Sequence, residues 1–397
     1  MLKALWQMIN SVKFWLVISG IIHFSVFANA DVEVRALWVI RHQMKTPQSI
    51  DSVLKFAAAN QITDLFVQVR GRGDAYYHSR FEPKAEEIPE NFDPLGYLLI
   101  KANRKKIRIH AWVNMFYIWS SEKKPVSPEH LINRKPEWLI YPSKYDPALP
   151  DSNWNGRRNE EGLYLAPLIE DVQIHLLNVV DDILSQYELD GLHLDYIRFP
   201  GYGFDFDPYV RDKFKERYVI DPAEFRNTPE SFSANYGAVG YDIFFSRWGK
   251  FLRDGLSEFI EKLAKQTRER HPEVIISAAV KPDLRRAHWY YYQDWDRWLN
   301  EGWLDWAVPM NYAKSQSDFE MRMDQMLEKV PAEKVVMGTA LYNQPWSSVK
   351  QKWQTIQNKR DKNEALKGVA LFSYDQISES GALQKAYTEV FIHRRTR

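Results

Sequence analysis

The stretch Asp190-Gly191-Leu192-His193-Leu194-Asp195-Tyr196-Ile197-Arg198-Phe199-Pro200 decides how this chain reads. Its first half alternates as a strand does, with Leu192 and Leu194 on one face and His193 and Asp195 on the other. Leucines turned towards a layer of helices leave His193 and Asp195 pointing into the mouth of a barrel. An aspartate at that depth is costly to ionise unless it is paired or hydrogen-bonded, so it is either tuned for chemistry or neutralised. Arg198, three residues on, stands where a counter-ion would, and an Asp195–Arg198 strut holding the loop is the alternative to a reactive acid.

Working outward, short apolar runs alternate with amphipathic stretches along the chain. Strands are expected at 34–39, 64–69, 107–113, 191–195, 274–279, 306–310, 335–340 and 369–372. Thr46-Pro47 and Asp93-Pro94 each start a helix, because proline at the first helical position lacks an N–H that would be orphaned there. Over 167–187, Leu168, Val172, Leu176, Val179, Val180 and Ile183 recur at helical spacing and form one buried stripe. Further helices are expected near 242–270, 290–300, 317–330, 348–360 and 381–392, with Ser317 and Glu320 at capping-box spacing. Eight strand–helix units most economically close into a (β/α)8 TIM barrel. An open doubly wound sheet is the competitor, but no glycine-rich turn follows the first strand.

Two connections far exceed ordinary length, at about 116–166 after the third strand and about 201–241 after the fourth. In a barrel both insertions lie on the face that carries active sites. They bring Trp119, Trp138, Tyr141, Tyr145, Trp154, Tyr202, Phe204, Phe206 and Tyr209. Flat rings beside a cleft suit sugars, whose C–H faces pack on them; the plainer reading is that these rings anchor long loops.

Composition narrows the classes. The 397 residues carry 53 Lys+Arg against 52 Asp+Glu, which lacks the basic surplus a nucleic-acid binder needs. No cysteine is present, which removes disulfides, thiolate nucleophiles and zinc–thiolate sites. Lys3 and Lys13 precede an apolar run from Phe14 to Phe27, and Ala28-Asn29-Ala30 follows. Residues 1–30 therefore read as a secretory signal peptide, leaving 31–397 as a single periplasmic or extracellular domain with no membrane span. An uncleaved anchor needs a longer apolar run than this one, which also holds His23.

The remaining strand ends collect polar residues: Gln68-Val69-Arg70-Gly71-Arg72-Gly73-Asp74, His110-Ala111-Trp112-Val113-Asn114, Lys281-Pro282-Asp283, Asn311-Tyr312, Leu341-Tyr342-Asn343 and Ser373-Tyr374-Asp375. The blocks at 68–77, 110–114 and 190–200, in this order, resemble the glycosyl-hydrolase-like 10 family of secreted bacterial barrels. The resemblance implies a glycosidase acting on cell-wall or other glucosamine-containing glycans, with Asp195 as the leading catalytic carboxylate. It also implies a cleft lined by Arg70, Asp74, His110, Trp112, Asn114, Asn311 and Tyr312. His193, Arg198 and Tyr342 join the expected substrate-binding set by their places at strand ends.

Chitinase-type barrels make a useful contrast. Their Asp-Gly-x-Asp-x-Asp-x-Glu strand, laid on this chain, puts His193 at the middle Asp and Ile197 at the acid, so that mechanism does not transfer. Glycoside cleavage usually takes two carboxyl groups. Asp375, Asp74 and Asp283 are the candidates for the second, although barrel order sets Asp375 beside the first strand rather than beside Asp195. A substrate whose own 2-acetamido group attacks would need none of them. The first strand ends without His-x-His, no G-x-S-x-G turn occurs, and the seventh and eighth strands lack a phosphate-binding glycine loop. Neither a metal nor a cofactor is expected. Two functions remain open: hydrolysis of an amino-sugar polymer such as peptidoglycan glycan, or a non-catalytic barrel that tethers itself to that polysaccharide.

Overall fold

The computed structural model of the protein describes residues 33–143, 158–360 and 365–381. Eight strands run β1 Val34–Val39, β2 Asp64–Arg70, β3 Arg108–Asn114, β4 Gly191–Asp195, β5 Ile275–Val280, β6 Trp306–Pro309, β7 Val336–Ala340 and β8 Gly368–Phe372. Every neighbouring pair is parallel, in the order β6-β5-β4-β3-β2-β1-β8-β7. Single bridges Ala307–Val335 and Met310–Gly338 join the two ends, so the sheet is a nearly closed TIM barrel. Gly338 makes that approach possible, since a Cβ there would lie 2.6 Å from the Pro309 carbonyl oxygen and 3.0 Å from the Trp38 ring.

The pleat sorts the side chains into two cores. Outward residues such as Leu37, Val67, Ile109, Leu192, Leu194 and Ile276 pack under the helices, whereas Trp38, Phe66, Trp112, Trp306, Val308 and Ala370 fill the barrel. The expected orientation of β4 is therefore the observed one. Two histidines complete the interior. His193 stacks on Phe66 at 4.0 Å between ring centres, accepts from Trp38 Nε1 at 3.0 Å and lies 2.9 Å from Ser277 Oγ. His110 lies 2.8 Å from Asp64 Oδ1.

Helices α1 Pro47–Ala59 and α2 Pro94–Asn103 begin at the expected caps, Thr46 and Asp93, whose side chains accept from Ser49 and Gly96 N–H groups. Helix α3 Glu170–Gln186 carries the apolar stripe. The connection after β4, read from sequence as a long loop, is largely helical: α4 Pro208–Tyr218, α5 Pro222–Asn227 and α6 Pro229–Arg270. Each begins with a proline after Asp207, Asp221 or Thr228, the same start signal as α1. Helix α6 is two helices joined at Gly237 (φ 73°).

The 290–300 stretch is split into α7 Leu284–Tyr290 and α8 Trp295–Asn300 by a left-handed turn at Tyr292 (φ 52°). Helix α9 Gln316–Leu327 is capped by Ser315, which accepts from Asp318 N–H; the cap lies two residues before the expected Ser317. Helix α10 Trp346–Arg360 and the short α11 Tyr374–Ser378 follow. In the insertion after β3, Tyr117–Trp119 pairs antiparallel with Leu163–Tyr164. The expected signal at 1–30 and helix at 381–392 lie outside the described residues, and no described helix is long and apolar enough to cross a membrane.

Candidate active site

The C-terminal ends of the strands open onto a cleft of about 590 Å³. Asp195 and Asn114 sit side by side on its floor as register partners of β4 and β3. Asp195 is only 6% exposed, and its Oδ1 accepts the Tyr196 N–H at 2.7 Å. Tyr196 adopts φ 52°, a strained conformation for a tyrosine, immediately after the carboxyl group it helps to hold. Burial pushes Asp195 up to about 6, although the Arg198 charge, the Tyr196 N–H and Lys281 pull the other way.

Arg198 is not spent on Asp195. Its Nη2 reaches both oxygens of Glu161, at 3.0 and 2.9 Å, and its guanidinium lies among the rings of Tyr196, Tyr291 and Tyr164. The strut therefore exists with a different acid. Glu161 comes from the insertion after β3, two residues before the ribbon strand, and it also accepts from Tyr164 OH. Burial acts to raise Glu161, but Arg198, Tyr164 and Lys281 outweigh it and hold the carboxyl below its ordinary range. Lys281 Nζ lies 4.0 Å from Glu161, and burial with the nearby Arg198 charge brings the amine down to about 8. One cleft thus holds an acid that keeps its proton and an acid that gives its proton up.

Rings form the walls. Tyr117 stacks on Tyr196 at 4.6 Å on one side beside Tyr291; Tyr312, Tyr342 and Phe372 cluster on the other. Among the described residues the Trp112 Nε1 donor and Asn114 Oδ1 acceptor, buried on two side chains that line the cleft, have no hydrogen-bond partner. Arg41, Arg286 and Arg322 also line the cleft.

Of the residues expected from sequence, Asp195, Trp112, Asn114, Arg198, Tyr312, Tyr342 and Asp283 meet here. The others lie elsewhere. His110 and His193 belong to the interior layer beneath the floor, both fully buried. Arg70 is locked to Glu82 by two hydrogen bonds of 2.7 and 2.6 Å and donates to the Met115 carbonyl. A bulge between Gln68 and Arg70 sets Arg70 opposite Val113, an outward-facing residue, and so turns it from the mouth.

Asp74 accepts from the Arg72 N–H within its own turn. Asn311 donates to the Phe319 carbonyl and anchors α9. Asp375 accepts from Gln43 in the first turn of α11. Of the nine insertion rings, the seven described ones do not line the cleft: Trp119, Trp138 and Phe206 are buried anchors, Tyr202 and Tyr209 face solvent, and Tyr141 and Phe204 are half-buried. Tyr145 and Trp154 lie outside the described residues. The cleft rings come chiefly from the strand ends instead. Glu161 was missed because nothing in its neighbourhood has strand or helix periodicity; the acid pair Glu160-Glu161 before Gly162 was its only mark.

The sequence profile of the glycosyl hydrolase-like 10 family matches residues 15–359, most of the chain. The chain belongs to that family. Among relatives, glycosyl hydrolase DigH of Escherichia coli O6:H1 is 24% identical over 357 residues, covering 80% of this chain and 73% of DigH. Glycosyl hydrolase YngK of Bacillus subtilis is 20% identical over 328 residues, covering 73% of this chain; the chain spans only 56% of the length of YngK.

Among solved structures, the glycoside hydrolase domain of PgaB (BpsB) from Bordetella bronchiseptica superposes with a TM-score of 0.65 at 11% identity, covering 91% of this chain and 99% of that one. The catalytic domain of a Paenibacillus polymyxa β-amylase gives 0.61 at 12%, covering 91% and 98%. At such identities these two share the fold with this family member.

Proposed function

We propose that the protein is an exported glycoside hydrolase in which Asp195 protonates the leaving oxygen of a glycosidic bond. The observation that carries this reading is a buried carboxyl group at the cleft floor, without an ion pair among the described residues, that keeps its proton up to about pH 6. A general acid must be protonated at the working pH and within reach of the leaving group. Aromatic walls suit pyranose faces, and the polar side chains Asn114, Arg41 and Arg286 that line the cleft suit the hydroxyl substituents of a sugar. Membership of a glycosyl hydrolase-like family and relatives named glycosyl hydrolases support the reaction class. An amino-sugar polymer such as peptidoglycan glycan is the substrate proposed, and the leader-like residues 1–30 support a periplasmic or extracellular site of action.

The test is release of reducing ends from peptidoglycan glycan, chitin and glucosamine polymers by the wild-type protein and by Asp195→Asn. Loss of a general acid is expected to lower turnover by roughly 10²–10⁴-fold while glycan binding persists. Unimpaired turnover by Asp195→Asn overturns the assignment. Binding by the wild-type protein without release of reducing ends from any of the three identifies a tethering barrel instead.

A further inference from the structure

We propose that Glu161 is the nucleophile of a retaining reaction, a role that rests on Asp195 being the acid. Both carboxyl groups line one cleft and lie close enough for the charge of Glu161 to raise Asp195. The remaining candidates are less suited. Asp283 reaches the cleft, but its Oδ1 caps α7 through the Arg286 N–H at 3.0 Å. Asp74 and Asp375 are outside the cleft.

The surroundings of Glu161 favour a nucleophile over a base. A general base works best when its pKa lies near the working pH, and Glu161 is held below even its ordinary carboxylate value by its donors. An attacking carboxylate has the opposite needs: it must be ionised when substrate arrives and must later leave from the sugar carbon, and low basicity serves both. Arg198, itself 2% exposed, fixes the orientation of the carboxylate, and Tyr164 OH occupies Oε2. Among the described residues Oε1 has only Arg198 within hydrogen-bonding distance, and it is the oxygen freer to attack. A side chain about a third exposed, 36%, gives it access to the cleft.

The step balances with water as the only co-reactant. Oε1 of Glu161 forms a bond to the anomeric carbon as the glycosidic C–O bond breaks. The leaving oxygen keeps the bonding pair and takes the proton of Asp195. In the second half, water attacks the same carbon and gives a proton to the Asp195 carboxylate. The bond from that carbon to Glu161 breaks as water attacks, with its electron pair returning to the carboxylate.

The experiment uses the full protein and the glycan that the wild type cleaves among the three polymers above. Glu161→Ala and the near-isosteric Glu161→Gln are checked for folding by thermal melting, because either change leaves the buried Arg198 without its counter-ion. The expected result is a wild-type product that retains the anomeric configuration by proton NMR, with turnover lost in both variants. Sodium azide added to Glu161→Ala should restore cleavage and give a glycosyl azide of opposite configuration, detected by mass spectrometry and NMR. A merely structural role for Glu161 would not give that azide product. Inverted wild-type product, unimpaired turnover in the variants, or folded Glu161→Ala that forms no azide adduct overturns the role of Glu161 alone. A wild type that releases no reducing ends defeats the reading of Asp195 first.

Discussion

Glu82 and Asp195 are both buried beside an arginine, and burial pushes both carboxyl groups upward; yet Glu82 lies at about 2 and Asp195 at about 6. The difference is in what each arginine does. Arg70 gives Nε and Nη2 to Glu82, with His175 at 3.3 Å behind it, so attraction outweighs the loss of water. Arg198 gives Nη2 to Glu161, and among the described residues Asp195 receives only one backbone N–H. Asp64, at the opposite end of the barrel from the cleft, follows Glu82: burial is overcome by His110 and Arg108, and its carboxyl is held low. Of these three buried acids, Glu82 and Asp64 are structural because a cation is committed to each, and Asp195 is available as a proton donor because its neighbouring cation is committed to Glu161.

The largest effect should come from breaking the paired side of that comparison. Glu82→Gln leaves the Arg70 charge buried, with both side chains at 0% exposure, and is expected to cost about 3–5 kcal/mol in urea denaturation at neutral pH. Because the folded pKa of Glu82 is depressed below its ordinary 4.5, its contribution is present above that value and is lost as pH falls towards 2. The cost of the substitution should shrink over the same window. A pH-independent cost would show that packing, not charge, accounts for it.

The unpaired side should respond with the opposite sign. Asp195 has a folded pKa above its ordinary 3.8, so its ionisation opposes folding as pH rises from there through about 6. Asp195→Asn is expected to be more stable than wild type by up to about 3 kcal/mol at pH 7, with the gain gone below pH 4. Melting curves at pH 7 and below pH 4 decide it, and a destabilised variant at pH 7 would break the contrast.

Much of this was legible in the chain. The period-two pattern of β4 placed Leu192 and Leu194 outward and Asp195 inward, and proline after a capping residue marked α1 and α2. Height within the barrel was not legible: alternation gives the face of His110 and His193 but not that Asp195 lies one inward position above His193, and Asn114 two above His110 with Trp112 between, next to the cleft. The fate of Arg70 depended on a bulge that no residue type announces. The partner of Arg198 depended on where a long insertion returns, a matter of tertiary contact rather than local pattern.

The smallest effect tests how finely the unpaired acid is poised. Lys281 carries its charge through pH 6, since its own pKa is about 8, and that charge lowers both Asp195 and Glu161. Replacing it with an uncharged chain of similar reach, Lys281→Met, removes an attraction that only the ionised carboxyl groups feel. Asp195 then holds its proton to higher pH, and Glu161 loses its own later as pH rises. Both limbs of kcat/KM against pH should move alkaline, each by less than about one pH unit, with the descending limb starting from about 6. A profile measured from pH 4 to 9 in which only the height changes would mean that Lys281 touches the substrate but does not set the acid. A limb that moves the other way would mean that Asp195 is not the group whose protonation controls the reaction.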